Sequence, residues 1–202
     1  MLIPTRLCSL TLISTAAGLK NNVGFFENLL NRTKMFIPKS LDRAVSDASA
    51  SLFPDPWLDS PDETRLPQPG TASVGFPSSG HYSLFNTNYE RFVAQEANKR
   101  LDPEAFPQHC FILQAIAAGW HYKSPQQLRE IGDRVGRDRI LLMHGTADRM
   151  ITVHHGRELV EKLKPGQSFI IDDSGHVLLL EKTEWFDEIV GKFFIQTEQM
   201  AR

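Results

Sequence analysis

The clearest alternation of apolar and polar positions lies in the last third of the chain. Two short, mainly apolar runs, residues 139–143 and 168–171, are typical of buried strands. After each run, apolar positions three and four residues apart predict an amphipathic helix, over residues 155–164 and 183–195. The order strand, helix, strand, helix predicts a parallel sheet with right-handed crossovers.

The first two thirds of the chain are predicted to be mainly helical. A short β-rich run over residues 9–14 ends at a turn and predicts one more strand. Helical spacing then predicts helices over residues 21–37, 41–52, 89–99, 110–121 and 125–135. Ser40 and Ser124 are suited to cap the helices that follow them. Residues 53–87 hold six prolines with several glycines and serines, which predicts a long loop.

Composition is that of an ordinary globular protein. Of the 202 residues, 41% are apolar and 23% charged, so we expect an apolar core rather than disorder along the whole length. A net charge of −2 does not favour a nucleic-acid partner. With only Cys8 and Cys110, no disulfide scaffold is expected, and both thiols are expected to be buried. The N-terminal residues show no clear targeting signal, so a cytoplasmic location is expected.

Two loops with chemically useful side chains follow the two C-terminal strands. One contains Asp148 and the other contains His176. Because the carboxyl ends of parallel strands meet at one edge of a sheet, a carboxylate and an imidazole can lie side by side there. A carboxylate bonded to one ring nitrogen fixes the tautomer, and the other nitrogen then takes a proton from a nucleophile or from water. We therefore predict that Asp148 and His176 form an acid–base pair.

Neighbouring polar residues have simpler expected roles. Asp172 and Asp173 are predicted to form a turn, and His144 is predicted to support the turn after its own strand. His154 and His155 stand together, but no further ligand follows at a suitable spacing. We therefore expect no metal site at this pair.

Stretches in a fixed order along the chain resemble the α/β-hydrolase family. Ile-Leu-Leu-Met-His-Gly-Thr-Ala-Asp at 140–148, Gly-Arg-Glu-Leu at 156–159 and Ser-Gly-His at 174–176, followed by Glu181, are similar to its strand 7 to strand 8 region. Leu-Thr-Leu-Ile-Ser-Thr-Ala-Ala at 10–17 is similar to its strand 6. Each stretch alone is a weak signal, and their shared order makes the combination specific.

This resemblance implies an α/β protein with a partial α/β-hydrolase fold. Strands 6–8 of a mostly parallel sheet would be accompanied by helices and by a large helical cap insertion. Residues 1–18 and 136–202 would form the C-terminal part of the hydrolase core. Residues 19–135 would form the cap or lid, including the proline-rich loop over residues 53–87.

The resemblance also implies catalytic roles. Asp148 would be the acid of a catalytic triad and His176 its base, since the family places the acid before the histidine. The family nucleophile stands in a Gly-x-Ser-x-Gly turn upstream of strand 6. That motif does not occur in the 202 residues, and the run at 70–75 has the wrong spacing. We therefore expect a chain that is truncated upstream and catalytically incomplete on its own.

Three functions remain open at this point. The first is a serine-type ester or acyl hydrolase acting on a small hydrophobic ester-like substrate, without cofactor or metal. The second is an epoxide or haloalkane hydrolase with an Asp nucleophile, for which the cap would offer Tyr82, Tyr89 or Tyr122, although each is expected to pack its ring. The third is a non-catalytic fragment or pseudoenzyme. Membrane contact through apolar residues of segment 21–37 is a lesser alternative.

Overall fold

The computed structural model describes residues 7–18, 39–67, 81–102, 104 and 107–201. Its strands are β1 (Leu10–Ile13), β2 (Ile140–Gly145) and β3 (Gln167–Ile171). Its α-helices are α1 (Leu41–Leu52), α2 (Asp55–Leu58), α3 (Asn88–Leu101), α4 (Gln108–Trp120), α5 (Pro125–Val135), α6 (Val153–Leu163), α7 (Leu178–Glu181) and α8 (Thr183–Ala201). A short 3₁₀ turn, Arg137–Arg139, leads into β2.

The strands form one parallel sheet in the order β1, β2, β3. Leu12 lies opposite Leu142, and Leu142 lies opposite Ser168. Every residue of the central strand β2 is buried, as its continuous apolar run requires, because helices cover both faces of the sheet. The predicted parallel sheet with accompanying helices is confirmed.

Each face of the sheet packs against its own helices, because side chains alternate between faces along a strand. On one face, Leu142 packs with Leu159 and Leu163 of α6 and with Leu128 of α5. On the other face, the packed core residues are Leu141, Met143, Leu178 and Phe193. The sheet therefore lies between α5 and α6 on one side and α7 and α8 on the other.

A second apolar cluster lies among α1, α2 and α3. We call it the α1–α3 cluster, and its buried residues are Val45, Phe53, Leu58 and Phe92. The ring of Phe53 stacks on Trp57 at a centroid distance of 4.5 Å. A buried ion pair between Arg91 and Asp62, 2.9 Å long, joins α3 to the chain after α2.

Helix ends follow the capping signals in the sequence. The Ser40 hydroxyl accepts the N–H of Arg43 at 3.3 Å, and the Ser124 hydroxyl accepts the N–H of Gln127 at 3.2 Å. Pro125 stands in the first turn of α5, where a missing N–H costs nothing. The predicted helix over 21–37 lies outside the described residues.

Some expectations from the sequence are wrong. Residues 53–87 are not a continuous loop, because α2 forms after Pro54, and Pro56 fits its first turn. The last helix continues to Ala201, beyond the predicted end at residue 195. Cys8 and Cys110 are both exposed rather than buried. Cys8 precedes β1, and Cys110 lies in the first turn of α4, a helix whose described side chains are all exposed.

The helices in the described ranges are each too short or too polar to cross a bilayer. Even α8, which has 19 residues, carries several charged side chains.

The end of β2 lies directly against the loop that follows β3. A Cβ atom at Gly145 would overlap the carbonyl oxygens of Ser174 and Gly175. These are backbone atoms, which cannot turn aside as a flexible side chain can. Only glycine therefore fits at this position.

We expect Gly145→Ala to lower the free energy of unfolding by about 2 kcal/mol or more, because the added methyl group forces the two backbones apart. Gly191→Ala is the matched control, since Gly191 lies in α8 with nothing within 4 Å of its Cβ position. That substitution is expected to stabilise the protein by up to about 1 kcal/mol. Urea denaturation of both variants measures the difference, and equal effects would contradict the close approach at Gly145.

Candidate active site

Asp148 and His176 lie together at the carboxyl edge of the sheet. Asp148 follows β2 and His176 follows β3, and these strands are neighbours. The Nδ1 atom of His176 lies 2.9 Å from Oδ2 of Asp148. The Asp148 side chain is 0% exposed and that of His176 is 21% exposed. A buried carboxylate therefore contacts an imidazole that solvent or a ligand can reach.

Backbone hydrogen bonds join the two loops to each other. The N–H of Thr146 donates to the carbonyl of Ile171, and the N–H of Ala147 donates to the carbonyl of Ser174, both at 2.9 Å. The Thr146 hydroxyl accepts the N–H of Asp173 at 3.0 Å. The separation of the acid from the histidine is thus set by main-chain contacts next to both residues.

The Asp148 carboxylate also organises its own loop. Its Oδ1 accepts the N–H of Met150 at 2.9 Å and the N–H of Ile151 at 2.8 Å. The carboxylate thus supplies the acceptor for two backbone N–H groups of the turn and holds its shape. Oδ1 is committed to the loop, and Oδ2 faces His176.

His144, in β2, forms a hydrogen bond with the same turn. Its Nε2 lies 2.7 Å from the carbonyl oxygen of Ile151 and 3.4 Å from Oδ2 of Asp148. The N–H on Nε2 is thus shared between the carbonyl of Ile151, which is the nearer acceptor, and the carboxylate of Asp148. The ring packs against Gly156, where a Cβ atom would lie 2.6 Å from its Cγ. We expected this supporting role from the position of His144 at the end of its strand.

These contacts determine the charge of the acid. Burial raises the pKa of Asp148, but hydrogen bonds from His144, His176 and the Ile151 N–H outweigh burial and hold that pKa well below its ordinary value. Asp148 is therefore ionised at neutral pH and accepts hydrogen bonds only. Its partner nitrogen, Nδ1 of His176, must then carry the proton. In neutral His176, the lone pair is left on Nε2.

Glu181 holds the histidine loop from the other side. Its Oε1 and Oε2 lie 3.0 and 2.9 Å from the N of Gly175, which donates to the carboxylate. Burial raises the pKa of Glu181, the Gly175 N–H opposes that shift, and the charge of Asp148 adds to it. In the sequence, Glu181 stood out only through the family resemblance. Its contact with the residue before His176 required the structure.

The remaining candidate residues are not part of the Asp148–His176 pair. Asp172 and Asp173 form the turn after β3, and Asp173 adopts a left-handed conformation with φ 56°. The rings of His154 and His155 are 5.9 Å apart, and no group of three or more metal-binding side chains occurs among the described residues.

The ring packing expected of Tyr82, Tyr89 and Tyr122 is wrong for Tyr89, which is exposed on α3. Tyr122, after α4, is also largely exposed, but its ring lies against Gly18, where a Cβ atom would be 2.8 Å from its Cδ2. Tyr82 is partly buried.

Comparison with known proteins identifies the fold. No family model and no curated protein matches the chain. A candidate lipase from Acinetobacter baumannii AYE matches over 98% of this chain and 56% of its own, with a TM-score of 0.57 and 15% identity. A meta-cleavage product hydrolase from Pseudomonas fluorescens IP01 matches over 93% of this chain and 56% of its own, with a TM-score of 0.52 and 14% identity.

These neighbours are enzymes of the α/β-hydrolase fold. At this level of identity, the similarity shows that the chain has part of that fold. The chain spans 56% of the length of either structure. The similarity therefore establishes the fold of this chain and not its activity.

The depressed pKa of Asp148 predicts a pH-dependent stability. An acid whose pKa is lower in the folded chain than in the unfolded chain stabilises the fold. This contribution is fully present at pH values above the pKa of the unfolded chain, here 3.8. That contribution is lost as the pH falls through the folded pKa. At pH 7, Asp148→Asn is expected to lower the free energy of unfolding by about 2 kcal/mol, because it removes charged hydrogen bonds. At pH 3 the loss is expected to be smaller.

Urea denaturation at both pH values measures this difference. Asp172→Asn, in the exposed turn after β3, serves as the control and is expected to change stability little at either pH. A loss at pH 3 as large as the loss at pH 7 would contradict an ionised, hydrogen-bonded Asp148.

Proposed function

We propose that this chain carries the acid and the base of a serine-type ester or acyl hydrolase, with Asp148 as the acid and His176 as the base. The observation that supports this most directly is the 2.9 Å contact between Oδ2 of Asp148 and Nδ1 of His176. The partly exposed ring of His176 then has its Nε2 lone pair available for proton transfer.

The mechanism would proceed through an acyl-enzyme. As a serine hydroxyl attacks the ester carbonyl, Nε2 of His176 takes the hydroxyl proton, and the resulting imidazolium is stabilised by ionised Asp148. Collapse of the tetrahedral intermediate breaks the ester bond, and His176 gives its proton to the departing alkoxide. Water then attacks the acyl-enzyme with His176 again as base, which releases the acid and restores the serine.

The nucleophile in this proposal comes from outside the 202 residues. No Gly-x-Ser-x-Gly turn occurs in them. Ser14 does follow a strand at the same edge of the sheet, but its side chain is buried, with 5% of the residue exposed. In this structure, the Ser14 hydroxyl is therefore not presented to a substrate. On this proposal, β1, β2 and β3 correspond to strands 6, 7 and 8 of the family, and residues 19–135 are its cap.

We expect the purified 202-residue chain to hydrolyse activated esters no faster than background. In sites of this kind the nucleophile supplies much of the acceleration, and no nucleophile turn occurs in the 202 residues. Release of p-nitrophenol from short-chain esters measures the rate, with Asp148→Asn as the comparison. Robust turnover that Asp148→Asn abolishes would show that the chain contains its own nucleophile.

The source of the nucleophile is tested separately by reading the coding frame upstream of Met1. A Gly-x-Ser-x-Gly turn there supports the ester or acyl hydrolase. An Asp in place of the Ser would instead support epoxide or haloalkane hydrolysis. In a protein that includes the serine, His176→Ala is expected to lower kcat by about a thousandfold or more.

The substrate class is proposed from the helical segment, by which we mean the described residues within 19–135, which include helices α1 to α5. Its described residues expose several large apolar side chains, namely Leu84, Phe85, Leu101, Leu113, Ile116 and Trp120. Ligand pockets are lined mainly by apolar groups, so a segment that exposes apolar side chains fits a small hydrophobic ester as the substrate.

We therefore expect kcat/KM to rise with acyl chain length in a protein that includes the nucleophile. A series from acetyl to long-chain p-nitrophenyl esters measures this, with a charged acyl group as the control. Equal kcat/KM along the series, or preference for the charged ester, would contradict an apolar pocket.

A further inference from the structure

The residue next to the acid contacts the helical segment. Arg149 follows Asp148, and its guanidinium donates two hydrogen bonds to the carboxylate of Asp55, Nη1 to Oδ1 at 3.0 Å and Nη2 to Oδ2 at 3.2 Å. Nη1 also donates to the carbonyl oxygen of Ala50 at 3.2 Å. Two parallel bonds fix the direction of a guanidinium as well as its distance. The loop of the acid is thus held to the end of α1 and the start of α2.

The loop of the base contacts the same place. The N–H of His176 donates to the carbonyl oxygen of Leu52 at 2.7 Å. Gly175 lies so close to this segment that a Cβ atom on it would be 2.5 Å from that oxygen and 2.9 Å from Cδ of Pro54. We call residues 50–55 the junction, since they join α1 to α2 and receive contacts from both catalytic loops.

Apolar packing continues from the histidine loop into the helical segment. Val177 and Leu180, which follow His176 closely, pack against the α1–α3 cluster. His176 therefore stands between the junction, which binds its main chain, and Asp148, which binds its ring. A shift of the junction would move the main chain of His176 relative to the acid.

We propose that Arg149 and Asp55 are positioning residues: by binding the acid loop to the junction that also receives His176, they fix the imidazole against Asp148. The catalytic meaning of this inference rests on the proposed hydrolase function. The structural part of the inference does not rest on that function: it is a coupling between the Arg149–Asp55 ion pair and the hydrogen bond from His176 to Asp148.

Because the Arg149–Asp55 ion pair is largely exposed, a positioning role can be told apart from a contribution to folding stability. The side chains of Arg149 and Asp55 are 49% and 68% exposed. An ion pair this exposed contributes little to folding stability, because water and salt screen it. Geometry at a catalytic pair is more demanding, since small displacements of a catalytic group reduce the rate strongly. Loss of the pair should therefore alter His176 while leaving the unfolding midpoint almost unchanged.

The test is NMR of the full 202-residue chain with ¹⁵N-labelled histidine. The readouts are the proportion of His176 in the Nδ1–H tautomer and the rate at which that proton exchanges with water. In Arg149→Gln and in Asp55→Asn, exchange is expected to be about tenfold faster, the effect of weakening one charged hydrogen bond. Arg149→Lys keeps the charge but not the two parallel bonds, so it is expected to give an intermediate rate.

Arg134→Gln is the matched control. Arg134 pairs with Glu130 on α5, and the two side chains are 54% and 50% exposed. This variant loses a comparable ion pair away from both loops, so His176 should behave as in the unaltered chain. Urea denaturation of every variant checks that the fold is kept.

Unchanged exchange in both Arg149→Gln and Asp55→Asn would overturn the proposal, as would an equal change in Arg134→Gln. Absence of an Nδ1–H proton on His176 in the unaltered chain would remove the pairing and the proposal with it. If Arg149→Gln does not fold, Arg149→Lys and Asp55→Asn decide the question. If a protein that includes the nucleophile hydrolyses esters equally well after Asp148→Asn, the proposed function is refuted. The NMR test of His176 in the 202-residue chain still stands in that case.

Discussion

The carboxylate of Asp148 is buried at the end of β2, where water cannot solvate its charge. A buried charge is tolerated only when hydrogen-bond donors replace the lost water. Here the donors come from the loop itself, through Met150 and Ile151. They also come from the ring of His144 at the end of β2 and from the ring of His176 on the next loop. One charge therefore shapes its own turn and orients the imidazole across from it.

The sheet makes this arrangement possible. Parallel strands bring their carboxyl ends to one edge, so loops 28 residues apart in sequence become neighbours. Gly145 lets the backbone after β3 approach the end of β2 without a side chain between them. Beyond the sheet, both loops form hydrogen bonds with the junction at residues 50–55, one through Arg149 and the other through the main chain of His176. The acid and the base are therefore supported by the sheet on one side and by the helical segment on the other.

The elements that the sequence predicted well are those with strong local signals. Short apolar runs located the three described strands, and helical spacing with capping residues located most helices. The parallel strand order placed Asp148 and His176 at one edge. Contacts between distant residues carry no such signal. The Arg149–Asp55 pair joins residues 94 apart, and each of them alone is an ordinary surface charge. Pattern reasoning cannot select that pair among the other charged residues.

Other differences have similarly physical causes. The abundance of proline in residues 53–87 predicted a loop, but a proline in the first turn of a helix is harmless, so α2 forms there. Burial of Cys8 and Cys110 is the expectation from residue type, whereas their exposure follows from their places before β1 and on α4, a helix whose described side chains are all exposed. The role of Glu181 depends on a main-chain N–H, that of Gly175, which no side-chain pattern reveals.

The central claim is that Asp148 and His176 act as one hydrogen-bonded unit. A double-mutant cycle tests it most directly, using Asp148→Ala, His176→Ala and the double variant, with unfolding measured in urea at neutral pH. We predict a coupling energy of about 1.5–3 kcal/mol, because the single variants each break the same charged hydrogen bond. Effects that add to within about 0.5 kcal/mol would show that the two residues do not interact and would contradict the account.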